Sequence, residues 1–370
     1  FSTQVPEWFP MLVRVEAVLT EGSSKLDTAT SFVRITNRKR NQFHFILWNA
    51  HSTDLAPYGA QAMAKYGVTS VLQNNPLPAL SAANLAFVPY ASSFRASSHS
   101  LLAMLDENGV LKSGCVHDEA AMEKFVAETV ERARGAREMG TFVYSLGDEN
   151  AVRAGCLSEH CRVAYQNYLR DNVYKTIDAL NASWGTNYTR FDEVEVDREG
   201  DLPAADAPQW FKEYYAQRRV KHETDSEVKG GARQIELGDI NDEIRALQDG
   251  NFARWYDRQD FQNWSYVQWC KRFVKAFREL DPQSLTGFEG TDSFSIRRLT
   301  TRSRQGGDLD LFMREMEYFG PYHNPANEVV RSLAKGNFPR GNWIGYSMDP
   351  DVELGFYWNQ ITNGFNAIQW

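Results

Sequence analysis

The chain has 370 residues, of which 42% are hydrophobic and 13% aromatic, and its formal net charge is -8. This composition suffices for a large core, and the length suits about two average domains or one α/β barrel of roughly 250 residues with additions. The negative charge argues against nucleic acid and anionic membrane surfaces as partners. No run of about 18 apolar residues occurs, so no membrane-spanning helix is expected.

Both ends of the sequence resemble cut ends. The amino terminus, FSTQVPEWFPMLV, lacks Met and lacks a basic region followed by an apolar stretch, so it predicts no signal peptide. Trp370 directly follows a strand-like run. We therefore expect a processed form or a segment of a longer protein, and the sequence assigns no localisation.

Residues 1–42 predict a small β segment. Two alternating runs, 11–19 and 30–36, are separated by the turn residues of 21–24. This pattern is typical of an antiparallel strand pair.

From residue 43 onward, apolar strand-like runs alternate with helix-like stretches such as 56–66 and 118–139, which is typical of parallel βα units. The strand candidates are 43–48, 69–72, 85–90, 141–146, 284–288, 311–318, 342–346 and 365–370. Eight such steps predict an α/β fold in which residues 43–370 form a (β/α)8 barrel. No Gly-rich phosphate loop follows a strand, which argues against a dinucleotide-binding fold.

A long insertion, 151–283, separates the fourth and fifth strand candidates. Its middle, about 195–250, is polar and charged and predicts a surface insertion over one end of the barrel. Residues 255–280 are strongly amphipathic and predict a long helix.

The end of the fourth strand holds the first candidate functional residues, Gly147-Asp148-Glu149-Asn150. Carboxylates at the carboxyl end of a barrel strand are typical of catalytic sites in this architecture. Glu149 fits a proton donor, because burial beside Asp148 would favour its protonated form. Asp148 and Asn150 are then candidate substrate contacts, and a strand-end salt bridge is the alternative.

A second carboxylate is needed for hydrolysis of a glycosidic bond. Glu289 lies at the carboxyl end of the fifth strand, and its neighbour Gly290 would allow a substrate to approach closely. We select it, although a capping or ion-pairing role fits as well. Glu315 and Glu317 alternate on one face of the sixth strand candidate, which makes Glu317 the next candidate for the second carboxylate and a candidate substrate contact. Pairing of these residues with a base is an equally good explanation.

Asp349 is the remaining carboxylate near a strand end, and it fits a turn residue before Pro350 better than a catalytic group. Aromatic side chains project from several predicted strand ends, where they pack or stack on sugar rings. These residues are Trp48, Tyr90, Tyr318, Tyr322, Tyr346 and Trp370. Together they favour an oligosaccharide ligand.

Residues 141–191 resemble the catalytic domain of glycoside hydrolase family 42, the β-galactosidases with (β/α)8 barrels. The Asn-Glu pair of the family appears as Asp148-Glu149, its cysteine cluster as Cys156 and Cys161, and its LN-x-x-WGT segment as residues 180–186. The resemblance implies a retaining hydrolase of β-linked galactosides or related oligosaccharides, with Glu149 as general acid/base. It also implies a homotrimer.

Two departures from the family pattern stand out. Asp148 replaces an Asn, so an acceptor takes the place of a donor to a sugar hydroxyl. The seventh strand, where the family has its nucleophilic Glu, contains Trp343, Tyr346 and no Glu. Tyr346 then becomes a sugar contact or an unusual nucleophile.

The resemblance further implies a structural zinc bound by Cys115, Cys156 and Cys161. Ser158 replaces the remaining cysteine of the family cluster, so His117 or His160 would complete the tetrahedral site. A disulfide between Cys156 and Cys161, or free thiols, are the alternatives. No cofactor is expected for catalysis, since the seven His residues show no metal-binding spacing.

Two other functions remain open. The missing glutamate on strand seven favours a carbohydrate-binding barrel that has lost its nucleophile. A glycosidase of another family in the same clan, such as an agarase-like or mannosidase-like enzyme, fits the same residues.

Overall fold

The computed structural model describes residues 9–35, 42–73, 77–91, 115–141, 143–148, 158–196, 246, 249–289, 309–320, 326–334, 340–344 and 349–369. The strands are β1 Leu12–Glu21, β2 Ser24–Arg34, β3 His44–Leu47, β4 Ser70–Gln73, β5 Ala86–Pro89, β6 Val143–Asp148, β7 Leu285–Glu289, β8 Tyr318–Gly320 and β9 Ala367–Gln369. The α-helices are α1 Ala56–Lys65, α2 Pro78–Ala82, α3 Glu119–Ala133, α4 Glu159–Tyr168, α5 Ile177–Trp184, α6 Ala253–Leu280, α7 Leu309–Glu315, α8 Ala326–Leu333 and α9 Pro350–Thr362. None of these helices has the length and apolarity needed to cross a membrane.

The predicted antiparallel pair at the amino terminus is confirmed. β1 and β2 form a hairpin in which Leu12 pairs with Arg34 and Glu21 with Ser24. Gly22 takes a φ of 61° in the turn, which a glycine adopts at little cost. Most side chains of the hairpin are exposed, including Leu19 and Phe32.

Strands β3 to β9 pair in parallel, which confirms the predicted α/β class. They form a four-stranded sheet in the order β5-β4-β3-β9 and a three-stranded sheet in the order β6-β7-β8. Isolated parallel bridges link these sheets, from Tyr90 to Ser145, from Phe319 to Arg340 and from Trp343 to Gln369. The named sheets are open, and the three bridges continue the strand order around a ring.

One hydrophobic cluster fills the space inside this ring. Its buried members come from six of the strands and from residue 343: Ile46, Leu72, Val88, Val143, Tyr318, Trp343 and Ala367, with Trp48, Tyr90 and Leu285 partly buried against them. A second, larger cluster includes the helix residues Met122, Phe273 and Phe277 and packs on strand residues such as Tyr144. Tyr144 stacks on Phe277 with ring centroids 4.4 Å apart. Alternate residues of β6 therefore face inward and outward, as period-2 alternation requires.

The sixth strand prediction, 311–318, was wrong over most of its length. Residues Leu309–Glu315 form α7, and only Tyr318–Gly320 is a strand. An ion pair between Asp310 and Arg314 has the i,i+4 spacing that supports a helix. The seventh prediction, 342–346, is confirmed only as isolated bridges at Arg340 and Trp343, and 345–348 lie outside the described residues.

The insertion after β6 contains α4, a π-helical turn Leu169–Tyr174, α5 and the start of α6. Ser158 and Thr176 cap α4 and α5 by accepting backbone N–H groups. A third cluster, with Tyr165, Leu180 and Phe261 at its centre, packs these helices together. Most of the predicted surface insertion, about 195–250, lies outside the described residues.

Candidate active site

The strand β6 positions the first part of the site. Its register shifts after Ser145, Gly147 takes a φ of 107°, and Asp148 then pairs with Glu289 of β7. Only a residue without a side chain adopts that φ readily. Glu149, Asn150 and the side chain of Asp148 lie outside the described residues, but Glu149 directly follows the residue that is opposite Glu289.

Glu289 is fully buried inside the ring of strands. Its Oε1 accepts a hydrogen bond from the Ser145 hydroxyl of β6, and its Oε2 accepts one from Gln369 Nε2 of β9 at 2.7 Å. The backbone N–H of Gly147 donates to Ser145 Oγ at 3.1 Å. Side chains of β6 and β9 therefore hold the side chain of Glu289 at the carboxyl end of β7.

Tyr318 lies in the same interior, although we predicted it at a strand end. It is the first residue of β8 and is fully buried. Burial raises the pKa of its hydroxyl well above the usual value, and the negative charge of Glu289 adds to the shift. Tyr318 is thus held neutral.

Two glycines make room for these polar side chains. A Cβ on Gly341 would collide with the Tyr318 hydroxyl, and a Cβ on Gly320 would collide with Gln369 Oε1. The absence of a side chain at both positions follows from the close approach of the two polar groups.

Three aromatic rings lie beside this polar group. Trp48 follows β3 and contacts Tyr90 at 5.6 Å and Trp343 at 5.0 Å between ring centroids. Trp343 Nε1 and Gln369 Oε1 are buried and have no hydrogen-bond partner within the part of the chain that the structure describes. Since buried donors and acceptors are nearly always paired, these atoms favour a bound water or a polar ligand. Tyr322, Tyr346 and Trp370 lie outside the described residues.

Glu317 lies at the opposite end of the strands. It precedes β8, forms an ion pair with Arg278 of α6, and accepts the backbone N–H of Thr286 at 3.0 Å. Glu315 is the last residue of α7 and is 3.3 Å from Lys271 Nζ. The structure therefore does not bring either carboxylate together with Glu289. Asp349 caps α9 by accepting from Asp351, as a turn residue would.

Two of the three predicted zinc ligands are described. Cys115 and Cys161 are buried in the cluster of the insertion, and no disulfide joins Cys115, Cys161 and Cys270 to one another. Cys156 lies outside the described residues, and the described ones form no group of three metal ligands.

The two histidines proposed to complete the zinc site make other contacts. His117 Nε2 is 2.9 Å from Ser265 Oγ, and its ring lies nearly parallel to those of Phe261 and Trp264, with centroids 5.4 and 5.9 Å away. His160 is exposed and 3.7 Å from Asp118. The fit to zinc thus rests on two thiols that share one cluster.

Sequence reasoning missed Ser145, Gln369 and Trp343. Ser145 is the inward-facing residue two positions before Gly147, and Gln369 lies in the last predicted strand. A polar residue at an inward position of a barrel strand was the available signal for both.

Comparison with known proteins agrees with this description. A family model of glycoside hydrolase family 42, described as beta-galactosidase, matches residues 125–206. The beta-galactosidase bgaB of Geobacillus kaustophilus is 38% identical over 65 residues, which are 16% of this chain and 9% of that protein. The predicted resemblance to family 42 is thereby confirmed for the segment that includes β6 and α4.

Solved structures share the fold over most of the chain. The beta-galactosidase of Marinomonas ef1 has a TM-score of 0.53 at 13% identity, covering 88% of this chain and 53% of that one. The beta-galactosidase of Bacillus circulans sp. alkalophilus has a TM-score of 0.55 at 12% identity, covering 89% of this chain and 50% of that one. The catalytic domain of a beta-amylase from Paenibacillus polymyxa has a TM-score of 0.55 at 12% identity, covering 89% of this chain and 92% of that one. The chain thus spans about half the length of these β-galactosidases.

Proposed function

We propose that this chain is the catalytic barrel of a glycoside hydrolase that acts on β-linked galactosides or related oligosaccharides. The observation that supports it most is the pairing of Asp148 with Glu289, which puts a buried carboxylate beside the segment matched by family 42. The parallel strands and their three linking bridges are further support for a closed (β/α)8 barrel around this site.

In the proposed reaction, Glu149 and Glu289 act in turn. Glu149 donates a proton to the leaving glycosidic oxygen while a carboxylate oxygen of Glu289 bonds to the anomeric carbon and the C–O bond breaks. Glu149 then removes a proton from water, whose oxygen displaces Glu289 and releases the sugar with retained configuration. Two carboxyl groups about 5–5.5 Å apart fit this mechanism, and about 6.5–9.5 Å would indicate inversion.

The substrate contacts in this proposal come from aromatic and polar groups near Glu289. Trp48 and Trp343 offer ring faces, and Trp343 Nε1 is a buried donor for a sugar hydroxyl. Asp148, Asn150, Tyr346 and Trp370 remain predicted contacts from sequence.

Substitution of the proton donor tests the function. We expect Glu149→Gln to lower kcat/KM by roughly 10²–10⁴-fold on β-galactosides with an alkyl leaving group, because such a leaving group needs the proton that the amide cannot supply. Steady-state kinetics on alkyl β-galactosides measures this loss, and a panel of aryl glycosides names the sugar that the wild type prefers. Full activity of Glu149→Gln would sink the assignment.

A zinc ion bound by Cys115, Cys156 and Cys161 is a second part of the proposal. It would brace the segment after β6 without taking part in catalysis. Metal analysis of the purified protein should give about one zinc per chain, and Cys161→Ser should lower both zinc content and Tm. Equal zinc content in the variant and in wild type would argue against it. We also propose a homotrimer, which the mass in solution tests.

A carbohydrate-binding barrel without activity is the second candidate function. It is favoured by the burial of Glu289 and by the hydrogen bonds that both of its oxygens accept. Oligosaccharide binding by calorimetry without turnover of any aryl glycoside would support it. A sugar other than galactose as the best substrate would instead support another family of the same clan.

A further inference from the structure

We propose that Ser145 and Gln369 are positioning residues that fix the carboxylate of Glu289 for attack on the anomeric carbon. This inference rests on the proposed function and adds two residues that act through Glu289. It concerns the described residues of β6, β7 and β9.

The contacts fix both oxygens of the carboxylate. Ser145 donates to Oε1 and Gln369 to Oε2, so the two donors reach Glu289 from different strands. Because the donors approach different oxygens of one carboxylate, the two contacts together set the plane of the group.

The direction of each donor is itself determined. A serine hydroxyl has a single proton. Since Ser145 Oγ accepts the N–H of Gly147 at 3.1 Å, its proton is directed to Glu289. The backbone of Gln369 is held against residues 342–344, by donation to Asn342 O at 2.9 Å and by acceptance from Ile344 N at 3.0 Å.

Two glycines leave space for the carboxamide of Gln369. Gly320 approaches Gln369 Oε1 so closely that any Cβ there would displace the carboxamide. Gly341 limits the Tyr318 hydroxyl in the same way, and that hydroxyl lies near Gln369. The two glycines thus leave room for the carboxamide where it contacts Glu289.

The arrangement has a chemical consequence. Hydrogen bonds from neutral donors favour the ionised form of a carboxylate, as a nucleophile requires. A misplacement of a reacting group by about 1 Å can cost roughly 10²-fold in rate. Loss of either donor should therefore lower turnover through Glu289.

A double-mutant cycle in the full chain tests this coupling. Ser145→Ala and Gln369→Leu should each lower kcat on 4-nitrophenyl β-glycosides by about 10- to 100-fold, with a smaller effect on KM. The same substitutions are then made in a Glu289→Ala background supplied with sodium azide, which replaces the missing nucleophile. In that background we expect each substitution to lower kcat by less than about 3-fold, because the carboxylate that Ser145 and Gln369 position is absent.

Matched controls separate positioning from stability. Ser70→Ala removes a buried strand hydroxyl that does not contact Glu289, and Gln166→Leu removes hydrogen bonds to Asp192 O and Val194 O far along the insertion. Both should leave kcat within about 3-fold of the parent protein in each background. Ser145→Thr, which keeps the hydroxyl, should recover most of the activity lost in Ser145→Ala.

The outcomes are distinguishable. Equal losses for Ser145→Ala with and without Glu289 would overturn the positioning role while leaving the hydrolase intact. A wild-type chain that turns over no aryl glycoside overturns the proposed function and this inference together. Losses of kcat that occur only in the protein that retains Glu289 support both the positioning role and the proposed function.

Discussion

The two ends of the parallel strands differ in how they pair buried and partly buried ionisable groups. At the carboxyl end, Glu289 accepts hydrogen bonds from the neutral side chains Ser145 and Gln369. At the amino end, Glu317 forms an ion pair with Arg278. His44, at the start of β3, is buried there, and burial lowers its pKa to about 4.

This contrast is the one expected between a proposed catalytic carboxylate, Glu289, and a structural one, Glu317. When a carboxylate is paired with an arginine, the positive charge offsets its negative charge, and the ion pair holds it in a structural contact. Neutral donors orient the charge of Glu289 without cancelling it, and in the proposed reaction that charge would meet the positive charge that develops on the sugar. The carboxyl end of barrel strands is also where active sites of this architecture lie, whereas the amino end maintains stability.

Matched substitutions at the two ends should give the largest difference. We expect Glu289→Gln to lower kcat/KM on aryl glycosides by at least about 10³-fold, because an amide cannot act as nucleophile. Glu317→Gln should lower it by less than about 3-fold and reduce the free energy of unfolding by less than about 1 kcal/mol, since Arg278 is about half exposed. Kinetics and urea unfolding of both variants measure this. Similar losses of activity in Glu289→Gln and Glu317→Gln would contradict the distinction between a catalytic and a structural carboxylate.

The amino end should determine acid sensitivity. The pKa of His44 in the folded chain, about 4, lies below its ordinary value of 6.5. The unfolded chain therefore takes up a proton first as pH falls, and stability present above pH 6.5 is lost on the way to about pH 4. The loss attributable to His44 is as much as about 3 kcal/mol.

Urea unfolding of wild type and His44→Gln between pH 4 and 7 tests this expectation. The difference in unfolding free energy between the two proteins should change across that range. His51→Gln is the control, because His51 is exposed. A constant difference for His44→Gln would contradict a neutral, buried His44.

The carboxyl end should be intolerant of small additions. Gly341→Ala would force the Tyr318 hydroxyl to move and should lower the free energy of unfolding by about 1–3 kcal/mol. Gly355→Ala, in α9 with open space around it, should be neutral or stabilising by up to about 1 kcal/mol. Chemical denaturation compares the two, and an equal response would show that the interior can repack.

Much of the fold followed from local patterns. The strands at 43–48, 69–72, 85–90 and 284–288 were predicted to within about two residues, because short apolar runs bounded by polar residues determine them. The prediction failed at 311–318, where alternation of apolar and charged residues also satisfied a helix. The helix has an exposed Asp310–Arg314 pair at i,i+4 spacing, which adds only a few tenths of a kcal/mol.

The site was predicted less completely. Glu289 was selected from its place at a strand end, and the structure brings it opposite Asp148. Its partners Ser145 and Gln369 are 144 and 80 residues away in sequence. Contacts of that separation depend on the order of strands around the ring, which no local pattern contains.

The helix α6 has a consequence for cooperativity. Its 28 residues span about 42 Å, and they join two clusters, since Phe261 packs in the insertion and Phe273 against the strands. A continuous helix transmits loss of packing from one end to the other through its own hydrogen-bond ladder. The insertion and the barrel should therefore unfold as one unit, with the amide protons of α6 among the last to exchange with solvent.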